Sequence, residues 1–228
     1  MKNKILNLLK LIFSEPARRK LRLLQKAIVY FWRRQVIRIP IAINKPIKII
    51  VGAAITNQKG WYSTNEEWLD ITCADDWENV FHGKKLLKNV VAEHVFEHLT
   101  PEQTRKALHL IVVHMQPGSA IRIAVPDGYH PEPEYLRHVG IAGIGADASD
   151  HKQLLNCDSL INYLAEAGLT PKLKEGYLTN GDLVQQPLHL ELGLVFRSRS
   201  NKANIATRAG WDFIDANTSL VVDGIFNK

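Results

Sequence analysis

Apolar and polar residues alternate along the chain with two different periods, and the order of these periods predicts a fold. Residues 47–51 (IKIIV), 89–92 (NVVA) and 121–126 (IRIAVP) are short apolar runs rich in β-branched residues. Runs of this kind form parallel strands that are buried on both faces. A further strand is expected around residues 60–64.

Segments with helical spacing separate these strands. Thr100 and Gln103 have the spacing of a capping box, with Pro101 at the first helical position. Apolar residues at helical spacing follow, and we expect Pro117-Gly118 to stop the helix. Other helices are expected from the acid-rich residues 75–81 and over residues 154–167. Strands that alternate with helices indicate a parallel sheet with helices on its faces.

The C-terminal part has the two-residue period of antiparallel strands. Residues 188–199 (LHLELGLVFRSR) and 218–226 (TSLVVDGIF) both alternate in this way. The sequence therefore predicts an α/β domain over residues 46–228, with a mostly parallel sheet flanked by helices and with antiparallel C-terminal strands. A basic helical arm of residues 1–45 precedes it.

The arm carries most of the positive charge. Residues 1–38 hold eleven Lys and Arg against one acid, whereas the rest of the chain holds 18 basic and 22 acidic residues. Two short amphipathic helices are expected, in residues 4–13 and from Leu21 to Phe31. Their apolar stripe either docks on the domain or, at the inner face of a membrane, lies on anionic lipid. The acidic balance of the domain disfavours nucleic acid as a partner.

The other totals favour a cytoplasmic protein. Hydrophobic residues make up 46% of the chain and charged residues 23%, which is typical of globular domains that fold in water. No uninterrupted apolar run approaches the roughly 20 residues that a membrane-spanning helix needs. Cys73 and Cys157 have no metal-ligand spacing, and two cysteines fit a reducing compartment.

Three strings occur in an order that resembles a known family. They are IIVGAAITNQKGW, AEHVFEHLTPEQ and PGSAIRIAVPDG. This order is similar to that of class I S-adenosylmethionine-dependent methyltransferases, in particular the methyltransferase type 11 group, over about residues 46–170. The resemblance implies a Rossmann-like methyltransferase fold, S-adenosylmethionine as the cofactor, and methyl transfer to an acceptor.

The resemblance also implies a donor site at the carboxyl ends of the first strands, where open parallel sheets bind ligands. Small residues after the first strand let the backbone approach the donor. An acceptor of hydrogen bonds after the second strand would hold the ribose, and Asp70 would reach the adenine amino group unless it caps a helix or turn. The implied cofactor-binding residues are Gly52, Ala53, Ala54, Asn65 (or Glu66 with a one-residue shift), Asp70 and Glu93.

Two histidines after the third strand are the candidate catalytic residues. His94 is expected to act as the base, because an imidazole takes up a proton near neutral pH. His98 is the second candidate, although Glu97 and His98 also suit a role in fixing the following turn. The acceptor is expected to be a small molecule, a sugar or a lipid-linked glycan. Its candidate binding residues, which could equally satisfy their own loops, are Asp127, Tyr129, His130 and His151.

Two other interpretations compete with methyl transfer. His94 to His98 has the His-x-x-Glu-His order of inverted zinc proteases. A strand before it and Thr100-Pro101 after it leave no room for the required helix, so we predict no metal site. The second alternative is a non-catalytic methyltransferase-fold scaffold or donor-sensing protein, since Ala53, Ala54, Asn65 and Ser119 depart from the family's pattern.

Overall fold

A seven-stranded mixed sheet forms the centre of the domain. The computed structural model describes residues 15–54, 56–145, 148–200 and 218–227. The strand order is β2-β1-β3-β4-β7-β5-β6, in which β1 to β4 are parallel and β7 runs antiparallel to β4 and β5. The strands are β1 (Ile47–Val51), β2 (Tyr62–Ser63), β3 (Leu87–Glu93), β4 (Met115–Pro126), β5 (Thr170–Tyr177), β6 (Leu183–Gln185) and β7 (Ser219–Phe226).

One helix precedes β1, and other helices occupy several of the connections between the strands. The helices are α1 (Glu15–Ala42), α2 (Ala74–Phe81), α3 (Pro101–Val113), α4 (Pro133–Val139) and α5 (Cys157–Glu166), with short 3-10 helices at Phe96–His98 and Leu190–Leu192. The capping box predicted for α3 is present. The backbone N–H of Gln103 donates to Thr100 Oγ1 at 3.2 Å, and the backbone N–H of Thr100 donates to Gln103 Oε1 at 2.9 Å. The predicted Rossmann-like α/β fold is confirmed.

The two faces of the sheet are covered in different ways. On one face, Trp77, Leu108 and Leu160 from α2, α3 and α5 join the strand residues in one large apolar core. On the opposite face, residues 186–200 cross the sheet, and we call them the crossing segment. Val195 of this segment packs on Ala124 and Val221, which lie on β4 and β7.

The prediction of a strand at residues 188–199 is wrong. This stretch is an irregular chain with one short 3-10 helix, Leu190–Leu192. Side chains on the sheet, rather than a neighbouring strand, bind its backbone carbonyl groups. Arg122 Nη1 donates to His189 O at 3.0 Å and to Gly193 O at 2.6 Å, and Asn89 Nδ2 donates to Glu191 O at 2.8 Å.

A buried ion pair on the sheet binds the crossing segment. Arg122 on β4 lies directly across from Asp223 on β7. Its Nε donates to Asp223 Oδ1 at 2.7 Å and its Nη2 donates to Oδ2 at 2.8 Å. Both residues are almost fully buried. The same guanidinium thus joins β4, β7 and the crossing segment.

The buried apolar contacts of helix α1 with the domain come from its C-terminal half, and Lys26 in the N-terminal half adds an ion pair with Glu67 at 2.9 Å. Ile37 and Ile41 are buried in the main core. Of the predicted apolar stripe, Leu24, Ile28 and Phe31 are 48–58% exposed, whereas Leu21 is half-buried, and Trp32 beside the stripe is 62% exposed. The three exposed residues do not dock on the described part of the domain. The first predicted helix, in residues 4–13, lies outside the described residues.

Candidate active site

A cavity of about 820 Å³ opens at the carboxyl ends of β1 and β3. The strand order reverses between these strands, because β2 lies on one side of β1 and β3 on the other. Ligands bind at such switch points in open α/β sheets. The predicted site residues that line the cavity are Gly52, Ala53, Ala54, Glu93, His94, His98 and His151.

The floor of the cavity turns at Gly52. This residue has φ +58°, and a Cβ placed on it would lie 2.5 Å from Val95 Cγ2. Backbone strain and this close approach together require glycine. The Ala53 N–H donates to Thr64 O at 2.9 Å, while Ala54 is exposed. Both alanines are among the residues that line the cavity, and Ala53 also packs with Ile50 and Val91.

Glu93 fixes the crossing segment at the edge of the cavity. Its two carboxylate oxygens accept hydrogen bonds from the backbone N–H groups of Phe196 at 3.0 Å and Arg197 at 2.8 Å. As a result, Arg197 also lines the cavity. Sequence analysis missed Arg197, because the alternation of residues 188–199 indicated a strand.

His94 lies between a carboxylate and a hydroxyl group. Its Nδ1 is 3.0 Å from Glu97 Oε1, and its Nε2 is 3.2 Å from Ser219 Oγ. The order of carboxylate, imidazole and hydroxyl resembles a charge-relay triad. Ser219, however, is 1% exposed and is not among the residues that line the cavity, so its hydroxyl orients the ring.

The backbone around His94 does not form the helix of an inverted zinc protease. His94 has φ +53°, in the left-handed region, and the helical turn that follows comprises only Phe96–His98. His94 and His98 therefore do not share one face of an α-helix. Burial raises the pKa of Glu97, the acid of this motif, to about 7.

The structure brings His151 to the same wall of the cavity from a distant loop. The His98 and His151 rings meet edge to face, with centroids 4.7 Å apart. His98 Nδ1 is 3.1 Å from Asp150 Oδ1, and His151 Nδ1 is 2.7 Å from Val139 O. His94, Glu97, His98 and His151 thus form one cluster, which contains three of the predicted site residues.

Two predicted donor-binding residues lie outside the cavity lining. Asp70 Oδ1 accepts hydrogen bonds from the N–H and the hydroxyl of Thr72, both at 2.8 Å. This is the turn-capping geometry that was the alternative for Asp70. Asn65 is buried at the end of β2, and its Oδ1 has no hydrogen-bond partner among the described residues.

Three predicted acceptor-binding residues, Asp127, Tyr129 and His130, also lie outside the cavity lining. Asp127 is fully buried and accepts hydrogen bonds from the backbone N–H groups of Tyr129 at 3.1 Å and Tyr177 at 2.9 Å. Burial raises the pKa of Asp127. The His130 ring packs on that of Tyr135, with centroids 4.1 Å apart, and burial lowers its pKa. These contacts hold the loop that follows β4.

Comparisons with known proteins give matches in structure only. No protein-family model matches the chain, and no curated protein matches it in sequence. A methyltransferase structure from Archaeoglobus fulgidus is 14% identical, with 87% of this chain and 93% of that chain covered and a TM-score of 0.47. One from Thermotoga maritima is 8% identical, with 91% of this chain and 97% of that chain covered and a TM-score of 0.45. One from Methanosarcina mazei is 8% identical, with 80% of this chain and 93% of that chain covered and a TM-score of 0.43. All three are described as S-adenosylmethionine-dependent methyltransferases, and likenesses this distant say nothing about activity.

Proposed function

We propose that the chain is an S-adenosylmethionine-dependent methyltransferase that binds its donor above Gly52. The observation that carries this proposal is the glycine-floored cavity between β1 and β3, at the point where the strand order reverses. Its volume of about 820 Å³ lies within the range of roughly 300–1,000 Å³ that is usual for small-molecule sites. A nucleoside-sized donor and a small acceptor have room there.

The residues around the floor suit the amino-acid part of such a donor. The loop at Gly52 and Ala53 presents a backbone without bulky side chains. Glu93, at the end of the neighbouring strand β3, supplies negative charge to the cavity, and its oxygens also hold the crossing segment. When bound, S-adenosylmethionine supplies an electrophilic methyl group on a positively charged sulfur.

His94 is the proposed base for the acceptor. In this structure its Nδ1 faces Glu97 and its Nε2 faces the buried Ser219, so the ring must leave one of these contacts to take a proton from the acceptor. His94 has φ +53°, and strained backbone of this kind is often found at functional sites. The acceptor, a small molecule or a glycan, would bind on the wall near His98 and His151.

The test is a calorimetric titration with S-adenosylhomocysteine, the product of the donor. The wild-type chain should bind it, and Gly52→Ala should weaken binding by at least tenfold because the new methyl group displaces Val95. Gly83→Ala is the matched control, since Gly83 has a similar φ of +67° but open space around its Cβ position. Affinity of the wild type weaker than about 1 mM, or about −4 kcal/mol, would refute donor binding. Tight binding without transfer to any acceptor of a broad panel would instead favour the non-catalytic alternative.

We also propose that the outward face of α1 lies on an anionic membrane surface. Leu24, Ile28, Phe31 and Trp32 are exposed on the side opposite to the buried Ile37. Residues 1–38 have a net charge of +10, which suits anionic headgroups. No α-helix in the described parts of the chain is long and apolar enough to cross a membrane.

Sedimentation with lipid vesicles tests this surface. The wild type should bind vesicles that contain phosphatidylglycerol and leave neutral vesicles unbound. The triple variant Leu24→Ser, Phe31→Ser, Trp32→Ser should lose binding, whereas Val113→Ser, at an exposed apolar position on α3, should retain it. Substitutions are preferable to deletion of residues 1–38, because Ile37 belongs to the core. Unchanged binding by the triple variant would overturn the proposal.

A further inference from the structure

Three side chains on one wall of the cavity have the chemistry and the spacing of metal ligands. Glu97 and His98 follow β3 in the 3-10 helix, and His151 comes from the loop after α4. One ligand atom from each residue lies within 4.8 Å of those of the other two. All three residues line the cavity. A cation at their centre would therefore have one side open to a ligand in the cavity.

Glu97 is the most unusual member of this group. It is 1% exposed, and neither of its carboxylate oxygens has a well-aligned hydrogen-bond partner among the described residues. His94 Nδ1 approaches Oε1 to 3.0 Å, but the contact lacks hydrogen-bond alignment. A buried carboxylate without hydrogen bonds costs several kcal/mol unless a counter-charge compensates it. Arg197, which lines the same cavity, and the His98 and His151 rings already favour the charged form, and a bound cation would add to this counter-charge.

His151 is held in a state that suits a ligand. Its Nδ1 lies 2.7 Å from the carbonyl oxygen of Val139, which can only accept a hydrogen bond. The proton of a neutral His151 ring is therefore on Nδ1, and Nε2 keeps its lone pair. Metal-binding histidines commonly donate their other N–H to a carbonyl or carboxylate in this way. Asp150 Oδ1 lies 3.1 Å from His98 Nδ1, but this contact lacks hydrogen-bond alignment.

We propose that Glu97, His98 and His151 bind a divalent transition-metal cation such as zinc in the wall of the cavity. Two imidazoles and one carboxylate suit zinc, iron or manganese, whereas calcium and magnesium prefer oxygen ligands alone. The proposal departs from the absence of a metal site expected from the sequence. Three protein ligands leave at least one coordination position open, as in catalytic zinc sites.

The open position indicates a class of acceptor. A cation at this wall would bind oxygen atoms of a hydroxyl-bearing acceptor and place them near His94. This part of the inference rests on the proposed methyl transfer, whereas metal binding itself does not.

Calorimetric titration of the EDTA-treated full chain with Zn²⁺, and with Co²⁺ read by its visible absorption, tests the site. One equivalent should bind, and Zn²⁺ should raise the unfolding temperature of the wild type. Glu97→Gln and His151→Asn should each weaken binding by more than about 100-fold, beyond what loss of a supporting partner costs. In His151→Asn the amide nitrogen takes the place of Nδ1, so the bond to Val139 can be kept while the ligand is lost.

His138→Asn is the matched control, because His138 lines the same cavity outside the group. It should bind Zn²⁺ as the wild type does. Circular dichroism of each variant shows whether a loss of binding reflects a loss of fold. Failure of the folded wild type to bind either ion, or equal losses in His138→Asn and His151→Asn, would overturn the proposal. If the chain binds S-adenosylhomocysteine but not Zn²⁺, the proposed function stands and only the metal site is rejected. If it binds Zn²⁺ but not S-adenosylhomocysteine, the metal site stands and the proposed function is rejected.

Discussion

Replacing Arg122 with methionine tests how the crossing segment is held on the sheet. The guanidinium makes four hydrogen bonds, two to Asp223 and one each to the carbonyl groups of His189 and Gly193. Methionine fills similar space but leaves the Asp223 carboxylate buried without its partner. Breaking one side of a buried ion pair typically costs about 3–5 kcal/mol. That is at least about a fifth of the roughly 5–15 kcal/mol that stabilises a domain.

Urea unfolding followed by tryptophan fluorescence measures this loss. With a slope of about 2 kcal/mol per molar urea, the midpoint should fall by roughly 2 M. The double variant Arg122→Met, Asp223→Leu removes both charges, so it should be more stable than Arg122→Met by at least about 1 kcal/mol. A loss below about 1 kcal/mol in the single variant, or strict additivity of the two single changes, would refute the assigned role of the ion pair.

Three further predictions concern single sites. Adding Val95→Ala to Gly52→Ala removes the contacted Cγ2 atom, so calorimetry should show that most of the lost affinity for S-adenosylhomocysteine returns; no recovery would contradict the steric explanation. Thr100→Ala removes the capping box of α3 and should cost about 1 kcal/mol in urea unfolding with an unchanged slope, whereas an unchanged midpoint would show that the cap contributes little. Burial raises the pKa of the Cys157 thiol to about 11, so in mildly alkaline buffer an aromatic disulfide reagent should label Cys73 first and Cys157 only upon unfolding; equal rates would be inconsistent with this burial.

Elements whose signals lie within a few neighbouring residues were predictable from the sequence. Residues 47–51 form β1 as expected, and Thr100 caps α3. The hairpin of β5 and β6 was missed, although its turn contains the pair Asn180-Gly181, with Gly181 at φ +86°. Asparagine followed by glycine is a strong hairpin signal, so this element was within reach of the sequence.

The crossing segment shows why alternation alone was insufficient. Leucines alternate with other residues in residues 188–194 as they would in a strand. The pattern records which side chains face the sheet, but it does not record what binds the backbone. Here the partners are side chains such as Arg122 and Asn89, which lie far away in sequence. Local patterns cannot distinguish these two ways of satisfying backbone groups.

The candidate site was predictable in part for a related reason. Gly52 and His94 follow strands directly, Glu93 is the last residue of β3, and the ends of parallel strands share one edge of the sheet. The grouping of His151 with Glu97 depends on the path of the loop after α4, for which the sequence carries no local signal. Asp127 also follows a strand, yet its carboxylate turns toward backbone N–H groups and away from the cavity.

Among the described residues, the two outer strands of the sheet are short. One border is β2 with two residues, and the other is β6 with three. An exposed strand edge is a template on which a second chain can add by main-chain pairing, and natural proteins limit this hazard by keeping such edges brief. The domain should therefore resist fibrillar association at high concentration, even though long apolar strands lie only one or two positions further in.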